Sequence, residues 1–188
     1  MPNWCQNVLH LTCSDDIANK IISANNNNLF STFLPTPRTL QKTVDGSFSE
    51  KRKNRCLKNK QQKNLSRFGA KTWYDWNMSR WGTKWDVKFQ VESDERTTTN
   101  KRKLILSFDT AWSPPINFYE FLESQDCKVE AFYAETGCGF AGHYSENENS
   151  EWELDLNDIS NIPLNVKEAL GLEDQAESYK EFRKKDSE

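Results

Sequence analysis

A chain of 188 residues, 36% hydrophobic and 28% charged, is long enough to bury one domain-sized core. No run approaches the roughly 18–20 apolar residues of a membrane span. No basic-then-apolar leader precedes Trp4, so neither membrane insertion nor secretion is expected. The net charge of −3 is unevenly spread: residues 51–71 hold nine Lys/Arg and no acid, whereas residues 145–188 hold thirteen acids against five bases.

Trp4–Cys13 alternates, with Leu9, Leu11 and both cysteines on one face, which predicts a strand. Ser14 then supplies a helix cap and Asp15 and Asp16 an acidic first turn, while Ile17, Ile21 and Ile22 form an apolar stripe. Asn25–Asn28 ends that helix, and the prolines of Leu34–Pro37 set a turn. Residues 46–70 are polar, basic and poor in large apolar side chains, which reads as a long, partly helical excursion.

Four tryptophans (Trp73, Trp76, Trp81 and Trp85) follow within thirteen positions. Trp85–Val91 alternates as a strand that aims Trp85 with Val87, and Lys103–Trp112 repeats the pattern, so the two pair as a hairpin across a polar turn at 93–102. Ser113-Pro114-Pro115 starts a helix that runs to about Gln125. Cys127–Glu135 is a strand, Glu135–Gly139 turns, and Phe140–Tyr144 returns as a strand. Trp152, Leu154 and Leu156 suggest an edge strand, and Asn165 with Glu168 a capped short helix ended by Gly171.

The order predicts an α+β fold: a ferredoxin-like antiparallel sheet (β-α-β-β-α-β) with helices on one face. Residues 1–160 form the domain with a basic insertion at 41–71, and residues 161–188 a C-terminal acidic helical tail. The five cysteines are scattered and include no CxxC pair, so they read as reduced and mostly buried, and neither a metal nor a cofactor is expected.

Three candidate sites emerge. Trp73, Trp76, Trp81 and Trp112 with Lys84 can wall an aromatic cleft, since indole faces and a cation suit a nucleobase and its phosphate. Asp109, Glu135 and His143, with Asp86 as a fourth candidate, are the residue types of acid–base or metal chemistry, but their spacing matches no metal motif. Lys51, Arg52, Lys53, Arg55, Lys58, Lys60, Lys63, Arg67 and Lys71 form a basic segment suited to nucleic acid or an acidic partner. The glycines of 137–142 suit a hairpin better than a dinucleotide loop.

MPNWCQN at the start, the FLPTP turn, WYDW…WGTKWDV, FDTAWSPP and ETGCGFAGHY together resemble the Api92-like (YubB) family carried by phages, prophages and plasmids. The resemblance covers roughly residues 1–40 and 72–145. It implies a ferredoxin-like fold and an accessory protein of a mobile element in a bacterial cytoplasm, and it carries no activity across. A binding module facing a host protein, another host macromolecule or a nucleotide, with inhibition of a host defence system as its role, is preferred over a nucleic-acid binder using 51–71. A nuclease or nucleotide hydrolase using Asp109, Glu135 and His143 ranks behind both.

Overall fold

The computed structural model describes residues 3–43, 51–97 and 101–185, with the backbone alone at 51–56. At its centre is β1 (Trp4–Cys13), where every second residue from Cys5 to Cys13 is fully buried. It pairs antiparallel with β3 (Arg102–Ala111) from Trp4↔Ala111 to Cys13↔Arg102, and with β4 (Lys128–Glu135) from Gln6↔Ala134 to Thr12↔Lys128. Outside these lie β2 (Phe89–Arg96) on the β3 side and β5 (Phe140–Ser145) and β6 (Glu148–Glu153) beyond β4. The order is β2-β3-β1-β4-β5-β6, so the ferredoxin-like four carry a two-strand extension.

On the Leu9–Leu11 face the core gathers α1 (Asp15–Ser23), α2 (Leu29–Phe33), α5 (Trp73–Trp81) and α6 (Ile116–Glu123). Ser14 caps α1 as its sequence predicts, accepting from the Ile17 amide. A buried polar knot crosses this face. The Asn7 amide donates to the Cys5 and Phe108 carbonyls and to Thr110 Oγ1, and Tyr119 Oη donates to Asn7 Oδ1. Every polar atom of Asn7 is thereby satisfied, which makes its full burial tolerable.

Two sequence expectations change, and one is made specific. Helices do not keep to one face: α7 (Leu164–Leu170) lies on the other, where Val166 and Leu170 join Ile162 and Leu172 against Phe132, Ala134 and Ala141. The apolar residues of 162–172 recur every two to four positions and so close over the second face, which the β5–β6 extension widens. Only the far end of α8 (Leu172–Lys185) is tail-like. The excursion holds an 18-residue helix, α4 (Lys51–Phe68), preceded by the short α3 (Arg38–Gln41). Neither Gly nor Pro interrupts 51–68, and its Lys, Arg and Gln are good helix formers. Residues 44–50 of the expected insertion lie outside the described residues, as do 186–188 of the expected tail.

Finally, β2 begins at Phe89, not Trp85. Asp86 is the cause. Its carboxylate accepts from the Phe30 and Ser31 amides at the start of α2 and from the Val87 amide, each at 2.9 Å. A carboxylate spent on a helix N-terminus suits the dipole there and pulls its own segment out of the ladder. Trp85 is therefore turned to solvent while Val87 stays buried.

Candidate functional site

The segment 82–87 is a fixed strap across one end of the sheet. Gly82 ends α5 at φ 83°, and Thr83 Oγ1 donates to the Ala111 carbonyl at 3.1 Å. Ser113 Oγ donates to the Gly82 carbonyl, and the Asn77 amide donates to the Lys84 carbonyl at 2.9 Å. With Asp86 tied to α2 at the far end, the strap has little freedom to place Lys84 and Trp85 elsewhere.

The ammonium of Lys84 lies 4.8 Å from the Trp85 ring centroid and 6.0 Å from those of Trp73 and Tyr74. Trp4 stands 6.4 Å from Trp85, centroid to centroid, at 44°. Trp112 belongs to the same end of the sheet: its amide donates to the Asn3 carbonyl, one residue before the Trp4↔Ala111 pair. Trp4, Trp85 and Trp112 are 53%, 41% and 49% exposed, so three indoles and a cation share one open rim. Beside it a groove of about 1060 Å³ runs from Trp4 past Gln6 and Gln90 to Asp109.

The expected aromatic cleft is thus partly relocated. Trp73, Lys84 and Trp112 belong to the rim, but Trp76 and Trp81 do not. Those two meet edge to face at 5.9 Å within the core, and Trp81 Nε1 donates to the Leu34 carbonyl. Their places are taken by Trp4 and Trp85. The outward parity of Trp4 in β1 signalled the first. The alternation with Val87, overridden by the Asp86 tie, concealed the second.

Asp109, Glu135 and His143 do not converge. Asp109 sits opposite Gln6 on one face of the sheet, and His143 lies three strands away on that face, two residue pairs further along. At about 4.8 Å per strand that is roughly 14 Å or more. Glu135, 2% exposed, alternates to the opposite face and accepts from the amides of Gly137 at 2.7 Å and Cys138. Burial pushes its carboxyl up, but the Cys138, Gly137 and Asn3 donors outweigh that and hold it below the ordinary glutamate range. Asp109 goes the other way, raised by partial burial alone. Among the described residues no three His, Cys, Asp or Glu side chains are placed to share a metal ion.

His10, without an evident partner in the sequence, lies 3.7 Å from Glu130, which also meets His143 at 3.3 Å. Phe132 stacks on His143 and meets His10 edge-on. Burial lowers the His10 pKa.

In the basic segment, Lys58, Lys60, Lys63, Arg67 and Lys71 are all exposed; the side chains of Lys51, Arg52, Lys53 and Arg55 lie outside the described residues. A cleft of about 860 Å³ opens between α3 and α4, bordered by Lys60, Lys63 and Arg67 from α4 and by Arg38 and Lys42 from the other wall. Arg38 and Lys42 stand apart from the 51–71 run, and only folding reveals that they face it.

A family model described as the ferredoxin-like domain in Api92-like protein matches residues 83–178, just over half of the chain. The chain belongs to the Api92-like family. Among solved structures, protein Api92 from Yersinia pseudotuberculosis is similar at 12% identity and a TM-score of 0.40, over 82% of this chain and 99% of that one. No curated protein matches. The Api92-like match includes Lys84, Trp85 and Trp112, whereas Trp4, Trp73 and the α3–α4 cleft fall outside it.

Proposed function

We propose that this Api92-like protein is a binding module that takes a nucleobase-bearing phosphate ligand on the rim formed by Lys84, Trp85 and Trp4. The observation that carries this reading is the position of the Lys84 ammonium, ringed by Trp73, Tyr74 and Trp85 with no ion-pair partner among the described residues. A folded domain has no structural need to hold an exposed indole, Trp85, against that cation with a second exposed indole, Trp4, beside it. Such a surface suits a planar base, stacked for about 1–3 kcal/mol, with its phosphate drawn to the lysine. The separation of Asp109, Glu135 and His143 favours binding over hydrolysis by that trio. Family membership supports a wider role as an accessory protein of a phage or plasmid, acting in the bacterial cytoplasm on a host nucleotide or macromolecule, with interference in host defence as the biological outcome.

The test is tryptophan fluorescence under titration with nucleoside monophosphates. Quenching is expected for the wild type, with affinity reduced roughly 5- to 150-fold by Trp85→Ala, the loss of one stack. Lys84→Met is expected to weaken phosphorylated ligands more than the free nucleoside. Quenching unchanged in both variants would remove the rim from consideration.

A further inference from the structure

The cleft between α3 and α4 has a composition that structure alone does not require. Arg38, Lys42, Lys60, Lys63 and Arg67 border it, and among the described residues no acid does. None of the five is in a salt bridge with a described residue. Arg67 leans on Phe68 at 5.1 Å, and Leu57 and Phe68 supply an apolar lining between the charges. Five cations facing one space repel one another, so the arrangement is relieved when an anion enters. Two walls of positive charge around an open slot fit a flexible chain of phosphates better than a single small anion.

The cleft also touches the rim. Thr43, in its lining, accepts a hydrogen bond from the Trp73 amide at 3.0 Å. The Trp73 ring is one of the three around Lys84, and Lys84 leads on to Trp85 and Trp4. Cation-lined slot, lysine and exposed indoles are therefore linked contact by contact through Thr43, Trp73 and Lys84. That sequence of features alternates what a polynucleotide offers: charge along its backbone and flat faces on its bases.

From this we infer that the ligand is a single-stranded nucleic acid, its backbone seated between α3 and α4 and its unstacked bases on Trp85 and Trp4. The inference rests on the rim reading and extends it from a mononucleotide to a strand. A duplex keeps its bases stacked on each other and leaves the indoles with nothing to receive. The charge in the cleft should appear as salt dependence, with a log–log slope of about −0.7 for each phosphate neutralised on a single strand.

The experiment uses the full chain with a labelled oligothymidylate, its duplex with oligoadenylate, and thymidine monophosphate, followed by anisotropy and tryptophan quenching at several salt concentrations. Expected are tighter binding of the oligonucleotide than of the monophosphate, weaker binding of the duplex, and quenching by both single-stranded ligands. A Lys60→Gln/Lys63→Gln variant, changed only at exposed positions, is expected to lose about 1.4 from the salt slope for the oligonucleotide (0.7 for each charge removed). It should bind the monophosphate as the wild type does and melt at the same temperature. Equal affinity for monophosphate and oligonucleotide, or a slope unchanged in the variant, overturns the strand assignment and leaves the rim reading standing. Oligonucleotide binding without quenching overturns it too, because the bases would then miss the rim. Duplex binding as tight as single-strand binding, or displacement by polyglutamate at matched charge, overturns it in favour of duplex or of an acidic protein. Absence of quenching by every ligand overturns both readings together.

Discussion

Glu135 offers the sharpest separation between a carboxylate that reacts and one that holds a turn. Both of its oxygens are engaged by the amides that follow it, Gly137 at 2.7 Å and Cys138, with Asn3 alongside. Hydrogen bonds to a charged acceptor contribute about 1.5–3 kcal/mol each. The Gly137 and Cys138 residues are exposed, so water recovers part of that once the side chain is gone. Glu135→Ala is therefore expected to lose about 2–3 kcal/mol, from the low end of two such bonds. At about 2–4 °C per kcal/mol for a chain of this size, the melting point falls by roughly 5–10 °C. Glu135→Gln keeps one acceptor but sets an NH2 group against the second amide, so about half the loss is expected.

The pH dependence has a definite sign. Because the folded carboxyl lies below the ordinary glutamate range, its contribution is complete above the unfolded value of about 4.3. It disappears as pH falls through the lower folded value. The gap between wild type and Glu135→Ala should accordingly be constant near neutrality and close in acid. A general acid poised for catalysis requires the opposite, a raised pKa and a gap that widens as the carboxyl protonates. Urea unfolding followed by circular dichroism, from neutral pH down to about 3, reads this directly. Variants within about 0.5 kcal/mol of the wild type, or a gap that grows in acid, would refute the structural role.

The two halves of the tryptophan stretch should part company on substitution. Trp81→Ala is expected to destabilise by about 3–5 kcal/mol as a core truncation, and Trp85→Ala by less than about 1 kcal/mol as a surface change, both read from urea midpoints. Asp86→Ala strands the Phe30, Ser31 and Val87 amides; a loss of about 2 kcal/mol is expected, with weaker nucleotide quenching as the strap loosens. At Gly142 an added Cβ would lie 2.2 Å from Cζ of Tyr133. Gly142→Ala should thus destabilise by more than about 2 kcal/mol, and in combination with Tyr133→Ala by less than the sum of the two single changes, as thermal melts of the four proteins would show.

How far the sequence could be read depended on whether local pattern or distant partners decided a residue's position. β1, β3, β4 and the Ser14 cap follow from period and composition within a few residues: β1 and β3 alternate with one face buried, and β4 is a short, largely apolar run between turn signals. Trp85–Val87 shows the opposite. Its alternation is genuine, yet the Asp86 carboxylate is committed to two amides more than fifty positions away, and that tie overrides the local period. The same blindness applies to α7, whose apolar residues announce a helix but not the face it covers. Arg38 and Lys42 could not be joined to the basic run at all, because proximity across a helix pair leaves no trace in spacing.

The placement of α7 bears on why the rim is open. A four-stranded ferredoxin-like sheet with helices on one side leaves its other face to water, and here Val166 and Leu170 close part of it, over β1, β4 and β5. That cover stops short of the β2–β3 side, where the groove from Trp4 to Asp109 remains. On the helical face, the strap stands between α5 and the end of β3, holding Thr83 buried beneath the exposed Trp85. The exposed Trp85 thus lies at a corner where α5 contributes only Trp73 and Tyr74 beside Lys84, on a backbone fixed by Asp86, Thr83 and Ser113. If the corner were only an uncovered remnant of the core, substituting its indoles by polar residues would improve solubility and change nothing else. Its rigidity and its lysine argue for a surface kept ready for a ligand, since preorganised side chains lose little entropy when one arrives.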